Sequence, residues 1–325
     1  MNRSPRLWHW FPPLLITVGL LWLAFSGASV RELVREAGNL SIWWVVPFLL
    51  VLFLSHLFRA IRWNLLLPVN VPLHTLMAGV MTGYMTHYLV PRSGEVARPY
   101  YVASQSGQRG SRLLGTVLLE RGVDVGTLFF LLLITLPMLD GEWRELRLLL
   151  GWELPTELSP LLFIGVGVFL IFLWVGIWIA RSWQPAPDSR LERIGRWIRE
   201  LTEGLRSLRN VKSWPRFLWT TGLIWGGYLL MSFLPLYMLD LPVRYDLGLR
   251  EAWLLTLVST LGVAIPTPGG IGSYHLLVQQ SLWVFYGVPL STGLLYATVT
   301  HASTAIGVFF VGAISLWADK RWSLG

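Results

Sequence analysis

Residues 291–317 read STGLLYATVTHASTAIGVFFVGAISLW, a run without a single Asp, Glu, Lys or Arg. At about 1.5 Å per residue, a helix of that length outreaches the roughly 30 Å hydrocarbon core of a bilayer. Residues 158–180 form a similar run, and predominantly apolar stretches at 8–28, 42–62, 113–139 and 214–238 bring the expected full spans to six. Over all 325 residues 54% are apolar and 14% charged, with a mean hydropathy of +0.55. A soluble domain of ordinary composition is excluded. The expected fold class is all-α, a polytopic transmembrane helix bundle forming a single integral membrane domain over residues 1–325.

Tryptophan supports the same reading. Trp8, Trp10, Trp43, Trp44, Trp63, Trp183, Trp214, Trp253, Trp317 and Trp322 fall near segment ends, where an amphipathic ring suits the headgroup layer. The first apolar stretch follows Arg3 and Arg6, and small Ser26 and Ala28 behind it would also suit a cleaved signal peptide. The chain has no cysteine, so disulfides, thiol nucleophiles and Cys metal sites are ruled out.

Two regions, 73–108 and 251–286, do not read as simple spans. Each is interrupted, one by the LVPRSGE of residues 89–95 and the other by the IPTPGGIG of residues 265–272. Proline removes a donor and glycine frees the backbone, so each interruption ends one half-helix and starts another. If both regions turn back as re-entrant hairpins, nineteen of the 26 Lys and Arg share one side with six acids, while six Arg and ten acids share the other. That split, about +13 against −4, fits the positive-inside rule and puts both termini in the cytoplasm. The net charge of +8 thus reflects membrane topology and does not call for nucleic acid. A span, a broken hairpin and a span over 42–139 then match a second set of opposite orientation over 214–317, an inverted repeat of the kind that builds a midplane site. The basic linker at 181–213 carries Leu191, Ile194, Ile198, Leu201, Leu205 and Leu208 at helical spacing. It reads as an amphipathic helix on the cytoplasmic membrane surface, a solvated linker helix being the alternative.

The polar residues inside these segments are the candidates for chemistry. Glu120, Arg121 and Asp124 lie well inside a span; intramembrane charges mark functional sites, or else neutralise one another between helices. By spacing, Arg121 and Asp124 can pair with each other. Glu95 and Arg98 open the half-helix after the first break, where exposed N–H groups and Arg92 would welcome an anion, although Glu95 also reads as a cap. After the second break Gly269, Gly270 and Gly272 permit close backbone approach. His275, Gln279 and Gln280 follow them; a lone membrane histidine is either a packing residue or a proton carrier. The histidines show no metal-ligand spacing and no P-loop is present, so no metal or cofactor is expected.

In order along the chain, Arg59 with Arg62-Trp63, Pro91-Arg92-Ser93-Gly94-Glu95 with Arg98, Glu120-Arg121 with Asp124, and Pro268-Gly269-Gly270-Ile271-Gly272 resemble the lysylphosphatidylglycerol synthase transmembrane-region family of flippase-like membrane proteins. The resemblance runs from about residue 42 to 317. It implies translocation of phospholipids, aminoacylated phosphatidylglycerol among them. Some members carry a soluble aminoacyl-transferase domain, to which nothing in this chain corresponds, so no enzyme activity is implied. His275 stands where the family usually has Glu, and His301 where Arg is frequent, which leaves the headgroup open. The function expected is a lipid translocase acting on anionic or phosphate-bearing lipids in the cell (inner or plasma) membrane. A non-catalytic scaffold for a lipid-synthesising enzyme is the alternative, with a homo-oligomer or a lipid synthase as partner. The expected headgroup cavity comprises Arg59, Arg62, Arg92, Glu95, Arg98, Glu120, Arg121, Asp124, Gly269, Gly270, Gly272, His275, Gln279 and His301.

Overall fold

A computed structural model describes residues 11–135 and 200–322. The expected span at 158–180 and most of the 181–213 linker lie outside these residues. Among the described residues every regular element is helical. The helices are α1 (Phe11–Ser26), α2 (Val30–Ala37), α3 (Val45–Leu66), α4 (Leu73–Leu89), α5 (Gly94–Ser106), α6 (Gly110–Thr135), α7 (Trp214–Met238), α8 (Leu241–Tyr245), α9 (Leu249–Ala264), α10 (Ser273–Tyr286) and α11 (Leu290–Trp322).

Among the described residues, three segments are long and apolar enough to cross a membrane: Ile42–Leu66, Trp214–Met238 and Leu290–Trp322. With its 26 residues α6 has the length as well, about 39 Å at helical rise. Its apolar run is interrupted by Glu120, Arg121 and Asp124. The first expected span, at 8–28, contains α1, after which the chain bends by 84° into α2. None of the eight residues of α2 is buried, and four of them, Arg31, Glu32, Arg35 and Glu36, are charged. It is pinned by its polar side: Ser291 and Thr292, at the start of α11, donate to Glu32 and Glu36 at 2.8 Å and 3.0 Å.

Both interruptions expected from the sequence are helix breaks. Arg92 takes φ +60 before α5 begins, while Gly269, Gly270 and Gly272 take φ +59, +80 and +89 before α10 begins, angles at which a side chain is strained. Each break folds two helices closely together. A Cβ on Gly94 would stand 2.0 Å from the Gly83 carbonyl oxygen, and one on Gly262 would stand 3.0 Å from Tyr274 Cα. Lipid tails are as apolar as leucine, so helix association in a bilayer depends on such close contact between small residues. The two breaks also touch each other. The Arg92 guanidinium donates to the Ala264 carbonyl at 2.8 Å, and the Tyr88 ring lies where a Cβ on Gly269 would be.

Two apolar clusters flank this region. One joins Phe48 and Leu52 of α3 with Leu236, Leu255, Val278, Leu282 and Tyr296; the other joins Ala60 and Trp63 of α3 with Leu76, Met81, Val102, Leu113 and Val308. Between them along α3 lie Ser55, His56 and Arg59, all buried. Trp63 corrects one expectation: its ring is 0% exposed and its indole N–H donates to Thr116 Oγ1 at 2.9 Å, so it belongs to the core. Trp43, Trp317 and Trp322 are exposed, as ring belts require.

The glycine contact between α4 and α5 yields a direct prediction. Gly94→Ala should lower stability in detergent by about 1–3 kcal/mol, the usual cost of overpacking, since a backbone oxygen cannot step aside. Gly122→Ala, which meets open space, should be neutral or stabilise by up to about 1 kcal/mol through helix propensity. Thermal midpoints of the two purified variants check this, and equal midpoints contradict the close contact.

Candidate functional site

Helical spacing assembles the site from three directions. On α3, Arg59 and Arg62 are three apart and share a face, and on α6, Glu120 and Asp124 are four apart and share another. The first break turns α5 so that Arg98 arrives from a third side. Arg59 Nη1 lies 2.7 Å from Glu120 Oε1 and 3.0 Å from Asp124 Oδ2. Arg62 Nη2 lies 3.1 Å from Glu120 Oε1 and 2.7 Å from Asp124 Oδ1. Arg98 grips Glu120 with both Nη atoms, at 3.2 Å and 2.9 Å, while its guanidinium stacks 4.1 Å from the centre of the Trp63 ring. Three guanidiniums therefore close on one carboxylate that is 0% exposed.

Arg121 sits at the margin of this cluster. Its Nη2 is 3.5 Å from Glu120 and 3.4 Å from Asp124, and its side chain is 36% exposed. The pair expected from spacing exists, but it is the loosest, because Arg59 and Arg62 already occupy Asp124 from the neighbouring helix. Arg59 also donates to the Tyr228 hydroxyl, and Arg62 to Thr221 Oγ1 at 3.3 Å.

Four guanidiniums face two carboxylates, an excess of two positive charges in a site largely removed from water. The Nε atoms of Arg59, Arg62, Arg98 and Arg121 are all buried without a hydrogen-bond partner among the described residues. Buried guanidinium donors left unmatched and uncompensated are costly. Arginine's planar fork is suited to acceptor-rich anions such as carboxylates and phosphates.

The other expected site residues lie elsewhere. Arg92 is exposed and its guanidinium ties the two breaks together. Glu95 is half-buried in the first turn of α5. Gln279 is structural: its amide donates to the carbonyls of Ala24 and Leu290 at 2.9 Å and 3.0 Å, joining α1 and α11 to α10. His275 and His301 meet each other, ring centres 5.0 Å apart, beside the glycines of the second break. Sequence reading missed Tyr228, Thr221 and the stacking role of Trp63. A lone Tyr or Thr in an apolar helix gives no periodic signal; a clue lay only in Trp63 following Arg62 directly, deep enough on α3 to be buried.

Stability should depend on the acids more than on Arg121. Glu120→Gln leaves four guanidiniums on one carboxylate and should cost about 3–5 kcal/mol, the usual penalty for orphaning a buried charge. Arg121→Ala should cost less than Glu120→Gln, because Arg59, Arg62 and Arg98 leave both acids paired and the excess positive charge falls by one. Replacing Arg98 and Glu120 together by Met should restore part of the loss. Melting of the purified variants in detergent decides it, and additive losses for Arg98 and Glu120 contradict the pairing.

A family model described as "Lysylphosphatidylglycerol synthase TM region" matches residues 10–312. A curated relative, a UPF0104 membrane protein designated PH1989 from Pyrococcus horikoshii, is 25% identical over 308 residues, covering 85% of this chain and 87% of the relative. No solved structure matches. With the match spanning all four of the motifs read from the sequence, the chain belongs to the lysylphosphatidylglycerol synthase transmembrane-region family, a family of multi-pass membrane proteins linked to lipid handling.

Proposed function

We propose that this protein is a lipid translocase, a flippase or scramblase, that carries the phosphate-bearing headgroup of an anionic lipid past the membrane interior through the arginine cluster. The observation that carries the reading is the excess of two positive charges around Glu120 and Asp124, with a buried, unmatched Nε on every arginine of the cluster. Moving a charged headgroup through hydrocarbon is prohibitive unless fixed charges and dipoles replace its water. Arg121, the most exposed of the four, receives the phosphate first. Arg59 then exchanges part of its hold on Asp124 for it, while acyl chains stay in the lipid. Arg98, gripped by Glu120 and stacked on Trp63, keeps the acid in place. On this reading the protein has no catalytic role, and transport is passive or driven by a gradient.

The orientation belongs to the same proposal. Both broken regions turn back as re-entrant hairpins of an inverted repeat in the cell membrane, with both termini cytoplasmic, on the strength of the asymmetric distribution of basic residues. In whole cells, an impermeant thiol reagent should then leave Ser207→Cys unlabelled, and labelling from outside reverses the assignment. A scaffold role for a lipid-synthesising enzyme is the second reading. The closure of three guanidiniums on Glu120 favours it to the extent that a structural lock would look the same.

The test is lipid movement in proteoliposomes containing fluorescent phosphatidylglycerol, comparing wild type with Arg121→Ala at matched folded protein. Charge-assisted hydrogen bonds are worth roughly 1.5–3 kcal/mol, so the variant should flip lipid about tenfold more slowly or worse. An unchanged rate removes the arginine cluster from the path. If wild type moves no lipid of any headgroup supplied, the scaffold reading replaces translocation.

A further inference from the structure

The second break carries a polar site that the arginine cluster does not use. His275 lies in the first turn of α10, just after the glycines, and His301 lies on α11. Their ring centres are 5.0 Å apart with planes inclined at 44°. Tyr274 lies 5.4 Å and Tyr88 5.7 Å from the His301 ring. His275 Nδ1 and His301 Nε2 are buried without a hydrogen-bond partner among the described residues. A neutral imidazole carries one donor and one acceptor, and two facing rings with an unmatched nitrogen each are a rare arrangement in a folded interior.

The surroundings narrow what this pair can hold. From α4 the facing titratable group is Tyr88, and from α10 it is Tyr274. On α11, Tyr296 stands next to Tyr274. The nearby polar groups, Ser259 of α9 and Thr300 of α11, are taken up by the Tyr274 hydroxyl. α1 and the turn Pro268–Gly270 contain no titratable residue, and α3 offers His56 one site away, its ring centre 4.3 Å from that of Tyr84. Among the described residues, no carboxylate, lysine or guanidinium acts on either imidazole. At these separations the rings are in contact, which leaves no room for a headgroup. Nor do the described residues gather three metal-ligating side chains anywhere, and two imidazoles fall short of the usual ligand set.

We propose that His275 and His301 form a proton-binding site whose occupancy is coupled to the lipid step at the arginine cluster. The inference rests on the translocase reading and supplies its driving ion. The packed pair is the unprotonated state. A proton from water that binds a ring nitrogen lone pair places a cation between the two rings, next to the positive end of α10 and with no carboxylate opposite. That state favours separation of α10 from α11, and the glycines at φ +59, +80 and +89, free to move where other residues are strained, are the hinge. The movement has a route to the cluster. Tyr88 packs on Gly269, and Arg92 holds Ala264 from the turn that leads into α5, the helix carrying Arg98. Tyr84, four residues before Tyr88 and so on the same face of α4, packs against His56 with the rings tilted by 51°, three residues before Arg59. Release of the proton to water on the other side restores the packed pair. Only an N–H bond forms and breaks.

Two measurements test this. In proteoliposomes carrying fluorescent phosphatidylglycerol, a pH gradient should change the wild-type flip rate about fivefold or more relative to equal pH on both sides, the lower range of ordinary coupling. In His275→Gln and His301→Gln that ratio should fall to one. A wild-type ratio of one, or an undiminished ratio in both variants, overturns the proposal. In parallel, ¹⁵N-histidine resonances of the detergent-solubilised protein report the site without transport. His275→Gln should move the titration midpoint of His301 by about one pH unit, as interacting sites do. An unmoved midpoint also overturns the proton site. If wild type flips no lipid, the translocase reading fails on its own, and the linked titration still decides whether the two imidazoles form one coupled proton-binding site.

Discussion

A single carboxylate organises this protein's interior. Glu120 is fully buried, and Arg59 and Arg62 from α3 and Arg98 from α5 converge on it. An ionised acid in that position is tolerable only because guanidiniums replace its water. In turn the guanidiniums are tolerable only near the acids. The α3–α6 and α5–α6 contacts are thereby fixed in register, since sliding any of these helices by one residue would strand a charge. The same constraint accounts for Trp63, whose indole N–H finds Thr116 on α6 while its face carries Arg98.

The glycines make the electrostatics possible. Arg98 reaches Glu120 because α5 packs back on α4 with Gly94 against Gly83, and only residues without a Cβ let two backbones come so close. The second break uses glycine for conformation as well as proximity, with three positive φ values in four residues. Packing and charge thus work at different places on one path: the first break delivers an arginine, and the second places a histidine pair, with Tyr88 and Arg92 bridging the two. The excess of two positive charges is what remains when the internal pairing is complete, and it is the property on which the proposed translocase role rests.

Much of this was legible in the sequence because lipid imposes simple rules. Residues 291–317 admit one reading, since so long an uncharged run has no place in water, and both breaks were visible because Pro and Gly cluster there, each weakening a helix. Glu120, Arg121 and Asp124 stood out as charges inside a span. Their partners did not: Arg59 and Arg62 lie 61 and 58 residues from Glu120, and helical spacing points only to neighbours on one helix, which is why Arg121 seemed the obvious partner. Trp63 was misplaced because residue type suggests the membrane interface, whereas the side of α3 that a ring occupies is decided by packing. The end of α1 near Ser26 was readable from small Ser26 to Ser29, whereas α2 beyond it was not, because eight residues with four charges give no apolar run. The meeting of His275 with His301 depends on the mutual placement of α10 and α11, for which no local pattern exists.

The central claim is that the arginine cluster takes the phosphate of a lipid headgroup. The most direct measurement is the ¹⁵N–³¹P dipolar coupling between arginine side-chain nitrogens and lipid phosphate, in protein reconstituted into phosphatidylglycerol bilayers. The account predicts a phosphate at roughly 4 Å from guanidinium nitrogens, as a charge-assisted N–H···O contact requires, with a component of that coupling lost in Arg121→Ala. Couplings that are identical in wild type and Arg121→Ala, arising only from arginines at headgroup depth, would contradict it.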